Sequence, residues 1–327
     1  FRLAMFNFSD VFIGFVAVII MLAVYIFFGE ERQKTLYEVV DDYAVGNNAL
    51  LLKKLAQSIE KFNQPPRIVL EKACRRLANL NVAFMVIDFQ NDFVSGSLKI
   101  GDGDAKEDPM NVVPVINDLS AVQHFHSIVF TKDWHPADHI SFLENARNAD
   151  RELSKEDQSR DLQYFDKVHF VKPKRDQILY PVHCVSSTWG AEIIDEINIP
   201  ERAIVVNKGT ESLVDSYSAF MDNEKQNRNP LYETLKSLNV DAIVGCGLAY
   251  DICVAHTLRD SQHLGFYTAA VKDASAALLV SGLRATEESF ECEGIAIMSP
   301  MDVKAMVVEK KKFPIEWVIR AVDELSM

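Results

Sequence analysis

"VAFMVIDF" (Val82–Phe89) is a continuous apolar run broken only by one carboxylate, Asp88, and its reading decides the fold. It is short for a helix and shows no polar alternation, so it fits a strand covered on both faces. Similar runs follow: "SIVFTKD" (127–133), "AIVVNKG" (203–209), "DAIVGCG" (241–247), "GFYTAAVKDAS" (265–275) and "GIAIMS" (294–299). Amphipathic stretches separate them, and helices are expected over Pro109–Phe125, Pro230–Leu238 and Ile252–Leu264. Strands alternating with helices give a three-layer α/β/α fold with a mainly parallel, Rossmann-like sheet. Such sheets bind ligands at the carboxyl ends of their strands, so the chemistry is sought there.

Composition narrows the function. The 327-residue chain is 48% hydrophobic, enough for a substantial core. Its formal charge of −13 is not interrupted by any run of five basic residues, which argues against nucleic acid held by counterion release and for a small-molecule partner. Cys74, Cys184, Cys246, Cys253 and Cys292 are too sparse for a disulfide scaffold and odd in number, so reduced thiols are the simpler reading.

The amino-terminal stretch is of another kind. "VFIGFVAVIIMLAVYIFF" (Val11–Phe28) offers about 18 uncharged apolar residues, about 27 Å of helix, near the thickness of a bilayer's hydrocarbon core. It reads as one membrane-spanning helix and a membrane contact; a cleaved signal peptide, leaving a secreted protein, and a buried core helix are the competing readings. Arg32 and Lys34 after the run against Arg2 before it lean toward a single-pass anchor with a cytosolic body. Residues 29–80 read as a helical stalk or linker, with Leu51, Leu52, Leu55 and Ile59 on one face and Pro65 and Pro66 opening a second segment. The domain proper is expected over 81–327. The charged stretch of about 145–177 is taken as an insertion, either a solvated excursion or a lid over the active face.

Four strand ends carry reactive groups. Asp88 closes the first strand; Asp133 and His135 follow the second; Lys208 closes the third; "GCGLAYDICVAH" then turns into a helix with Cys253 in its first turn, where the helix partial charge favours a thiolate. Singly, such a cysteine is ordinarily structural, such a lysine a surface group and such a histidine loop unmetallated. Together they supply a nucleophile, a base, a cation and metal ligands on one edge of one sheet.

These residues carry a family resemblance. "VIDFQNDFVSGSL", "KDWHPADHISF", "YPVHCVSSTWGAE", "NKGTES" with "DSYSAF", and "GLAYDICVAHTLRDSQHLGF" resemble, in order and over roughly residues 82–300, the nicotinamidases of the isochorismatase-like cysteine hydrolases. The resemblance implies the isochorismatase-like hydrolase fold and hydrolysis of nicotinamide to nicotinic acid and ammonia, returning the ring to NAD salvage. It implies a catalytic triad of Asp88, Lys208 and Cys253, and an oxyanion hole from the backbone N–H groups of Ala249 and Cys253 beside a cis Leu248–Ala249 bond. Asp133, His135 and His183 match the ligands of one divalent metal, zinc first, with iron or manganese as alternatives. Phe93, Tyr180 and Tyr217 are expected in the substrate pocket, with His139 there or just behind the ligands. Tyr180 stands where many relatives carry tryptophan, and the charged insertion puts about 50 residues between Asp133 and His183. Rival readings keep the fold and change the role: another cysteine amidohydrolase, an ether hydrolase without the metal set, or a non-enzymatic membrane-tethered binding protein. A homo-oligomer is compatible with the sequence.

Overall fold

The computed structural model describes Val40, residues 44–46 and residues 49–327. Two helices come first, α1 (Ala49–Glu60) and α2 (Pro66–Ala78), then the strand β1 (Val82–Ile87). Helix α3 (Val113–Ser120) leads to β2 (Ser127–Asp133), and an antiparallel hairpin, β3 (Lys167–Lys172) and β4 (Lys174–Ile178), leads to β5 (Ile204–Lys208). Helix α4 (Leu231–Ser237), β6 (Ala242–Leu248), α5 (Ala255–His263), β7 (Tyr267–Ala276), α6 (Val280–Glu293), β8 (Ala296–Ile297) and α7 (Ile315–Glu324) complete these elements.

Six strands form one sheet in the order β8-β7-β6-β1-β2-β5, every pairing parallel. β1 is buried along its whole length. Its alternate side chains enter two cores, Phe84 and Val86 on one face, Ala83, Met85 and Ile87 on the other. That two-sided burial is why the run carries no polar alternation. From β1 the chain runs outward to β2 and then β5, and after β5 it returns to the other side of β1 as β6, so the crevice at the carboxyl ends of β1 and its neighbours is a topological switch point.

Of residues 29–80, read as a stalk, a linker or a small helical cap, the described helices α1 and α2 pack on the domain as a cap would. Leu51, Leu55 and Ile59 of α1 and Val69, Leu70 and Leu77 of α2 join the same buried cluster as Phe84, and both helices pack on α7. An amphipathic helix must bury its apolar face, and the partner here is the carboxyl-terminal helix, whose Ile315, Trp317, Val318 and Val322 face inward. The membrane-spanning run expected over 11–28 lies outside the described residues. Among those described, no helix is long and apolar enough to cross a membrane. The insertion has a small core of its own, in which its hairpin packs Val168 and Phe170 with Ile140, Leu153, Leu162 and Leu179. All five cysteines are free.

Candidate active site and metal centre

Strand geometry brings the charged groups together. β2 and β5 pair with Asp133 directly opposite Lys208, so both side chains reach the same strand end. The Lys208 ammonium lies 2.5 Å from Asp133 Oδ1, 2.9 Å from Asp88 Oδ2 and 3.5 Å from Cys253 Sγ, and donates to the Ser216 carbonyl at 2.9 Å. Asp88 sits just past β1 with φ 51°, a left-handed conformation that Asp tolerates better than most residues. The Thr131 hydroxyl donates to its Oδ1 at 2.6 Å. One carboxylate oxygen each from Asp88 and Asp133 and the Cys253 sulfur lie within 4.8 Å of one another. The sequence thus places Asp88, Lys208 and Cys253 apart, and the sheet joins them.

Burial sets their protonation. It raises Asp88, Lys208 pulls it back, and Asp133 adds to the rise; the net is about 6. Burial would raise Asp133 too, but Lys208 and His135 outweigh it and hold that carboxyl well below its usual range. Burial alone would lower Lys208, and the two carboxylates overcome it and keep the ammonium charged. For Cys253 burial dominates and pushes the thiol well above its ordinary value, with Lys208 opposing. Burial thus outweighs the helix partial charge that favours the thiolate. Cys253 lies in a wide π-type turn, Tyr250–Val254, ahead of α5, rather than in the first turn of an exposed helix. Its proton must be removed by a neighbour, and a carboxylate near 6 is suited to that.

Asp133, His135 and His183 form a second group, with Nε2 of His135 3.4 Å and Nε2 of His183 4.0 Å from Asp133 Oδ2. Each histidine donates Nδ1–H to a backbone carbonyl at 2.8 Å, His135 to Gly209 and His183 to Pro181. That fixes the tautomer and leaves Nε2 as the lone-pair nitrogen facing the carboxylate, the arrangement of a histidine ready to ligate. Burial, then His135, lowers His183 to about 4, so its imidazole is neutral. One carboxylate and two imidazoles, with the remaining positions open, fit a catalytic divalent ion such as zinc. Gly209 has φ 64°, and a Cβ there would fall 2.5 Å from the His135 ring, so this turn requires glycine.

Phe93, Tyr180 and Tyr217 line the cavity in front of Cys253, together with His183, Asp133, Ala249 and the apolar Leu98, Ile100, Ile252 and Leu278. The hydroxyls of Tyr180 and Tyr217 are 3.2 Å apart. The Leu248–Ala249 bond is cis. His139 is not a pocket residue: its ring stacks behind that of His135 at 3.9 Å, Nε2–H donates to the Val214 carbonyl, and Nδ1 accepts from the Ser141 hydroxyl. Both ring nitrogens thus have hydrogen-bond partners here, while the His135, His139 and Asp215 atoms also lie within 4.8 Å of one another.

Sequence reading missed Asp215. It lines the cavity, is buried, and accepts from Gln177 Nε2 at 2.9 Å and from the Ser216 N–H at 2.7 Å. Its position seven residues after Lys208 gave no signal, because only the returning loop brings it to His135. Gln90 and Thr131 were also missed; Thr131 bonds the Asp88 carboxylate from inside β2, and Gln90 bonds the Asp133 backbone from the turn after β1.

The chain matches the isochorismatase domain over residues 82–298. It is 34% identical over 203 residues to a nicotinamidase of Acinetobacter baylyi, covering 62% of this chain and 84% of the relative. A structure of yeast nicotinamidase bound to the inhibitor nicotinaldehyde superposes with TM-score 0.56 at 26% identity, over 67% of this chain and 99% of that one. A Pyrococcus horikoshii pyrazinamidase in complex with zinc gives TM-score 0.50 at 25% identity, over 67% and 99%. With about two thirds of its length matched in this way, the chain belongs to the isochorismatase domain family.

Proposed function

We propose that this chain is a nicotinamidase, hydrolysing nicotinamide to nicotinic acid and ammonia through a thioester on Cys253. The observation that carries the reading is a buried thiol, carboxylate and ammonium in contact, opening on the same cavity as two imidazoles and a carboxylate. Its curated relatives include nicotinamidases, which fits that chemistry.

Asp88 takes the thiol proton as sulfur attacks the amide carbon, and Lys208 holds carboxylate and sulfur in register. The oxyanion that forms is met by the backbone N–H groups of Ala249 and Cys253. Asp88 then hands its proton to the departing ammonia, and the thioester remains. A water that gives its proton to Asp88 attacks this thioester, releasing nicotinic acid and restoring the thiol. Phe93, Tyr180 and Tyr217 enclose the ring. Asp133, His135 and His183 would hold the divalent ion, zinc in the first instance, which when bound supplies a Lewis-acid anchor for the pyridine nitrogen.

Two outcomes test this. Because Asp88 must be ionised to accept the thiol proton, kcat/KM is expected to fall as pH drops through about 6, or somewhat lower where a bound cation stabilises the carboxylate. A pH–rate profile with no acid limb there contradicts Asp88 as the base. Chelation is expected to abolish ammonia release, and added zinc to restore it, followed by a coupled ammonia assay. Full activity in verifiably metal-free protein contradicts the metal reading.

A further inference from the structure

The geometry points to Gln90 and Asp92 as a bracket that fixes the spacing of Asp133 and His183, an inference that rests on the metal reading above. Those two side chains come from segments about 50 residues apart and must be held in one frame. β1 pairs with β2 only as far as Ile87 opposite Thr131, so two residues on, Asp133 has no backbone partner from β1. The wholly buried Gln90 amide takes that place. Asp133 N–H donates to Gln90 Oε1 at 2.8 Å, and Gln90 Nε2 donates back to the Asp133 carbonyl at 2.7 Å, one added rung of sheet made by a side chain. Its second amide hydrogen goes to the Ala191 carbonyl at 2.8 Å, on the loop that carries His183.

Asp92 grips that loop nearer the ligand. Its Oδ2 accepts the N–H of Cys184, the residue after His183, at 2.7 Å, and its Oδ1 accepts Ser97 N–H at 3.1 Å. The carboxylate occupies a slot that two glycines leave open: a Cβ at Gly190 would fall 2.0 Å from Oδ2, and one at Gly96 2.2 Å from Oδ1. Between them Asn91 donates to the Trp189 carbonyl. Only an amide supplies both the acceptor and the two donors that position 90 uses. Glutamate there keeps the shape but sets an oxygen against two carbonyls. Both residues act through others and are positioning residues.

The test is zinc affinity of the full chain, measured by competition with a chromophoric chelator. Gln90→Leu, Gln90→Glu and Asp92→Ala are compared with wild type and with Leu119→Ala, a truncation on the buried face of α3. The bracket variants are expected to bind zinc roughly 10- to 100-fold more weakly. Leu119→Ala is expected to melt earlier yet bind zinc at the wild-type value. Should Gln90→Leu fail to fold, the isosteric Gln90→Glu decides. Wild-type zinc affinity in folded Gln90 and Asp92 variants overturns the bracket while leaving the metal reading intact. A wild type that binds no zinc, iron or manganese overturns the metal reading, and the bracket with it.

Discussion

Replacing Cys253 with alanine is expected to lower kcat for nicotinamide by roughly 10⁴-fold or more, because removing a covalent nucleophile disables the groups that serve it. The lysine and carboxylates around it cannot substitute: Lys208 is charged and shared among Asp88, Asp133 and the Ser216 carbonyl, and Asp133 faces the two imidazoles. The alanine variant should still fold and hold its metal, since Lys208 keeps three oxygen partners without the sulfur. Steady-state kinetics beside zinc content separates the two effects. A loss of less than about tenfold means that water attacks the amide directly, and the thioester is then discarded.

Lys208→Met should damage both stability and turnover. Methionine roughly matches the length of lysine and removes the ammonium that bridges Asp88 and Asp133, leaving two buried carboxylates side by side. Breaking a buried ionic group in this way costs about 3–5 kcal/mol, readable as a lower denaturant midpoint at unchanged slope. Asp88, already raised by burial, loses the neighbour that lowers it and keeps Asp133, which raises it further. Its acid limb therefore moves to higher pH. At neutral pH less of it is ionised, and kcat/KM is expected to fall roughly 10³-fold, within the usual worth of a positioned base. A Lys208→Met protein with wild-type stability and an unmoved acid limb contradicts the role given to this ammonium.

Much of this was legible from strand ends. β1 reads as a covered strand because both of its faces are buried, and Asp88, Asp133 and Lys208 are legible because a parallel sheet gathers such ends into one crevice. What was not legible lies across long gaps in the chain. The packing of α1 and α2 on α7 joins residues more than 230 positions apart, as in the Lys61–Asp323 ion pair, |i−j| 262. Apolar periodicity shows that a helix has a face to bury, not against what. Sequence leaves His139 either in the pocket or just behind the ligands, because it shares a short loop with His135; its ring stacks behind that of His135. A helix start favours a thiolate at Cys253, but the burial that opposes it depends on the packing around the turn, which the sequence does not display. Gln90 escaped notice because its work is on the backbone of a distant strand, which no side-chain pattern records.

The most direct measurement of the central claim is product release from nicotinamide by the purified, zinc-loaded full chain, with nicotinic acid and ammonia quantified together and Cys253→Ala alongside. The account expects equimolar nicotinic acid and ammonia from the wild type and neither above background from the variant. A folded, metal-loaded wild type that releases neither contradicts it, as does equal release by the two proteins.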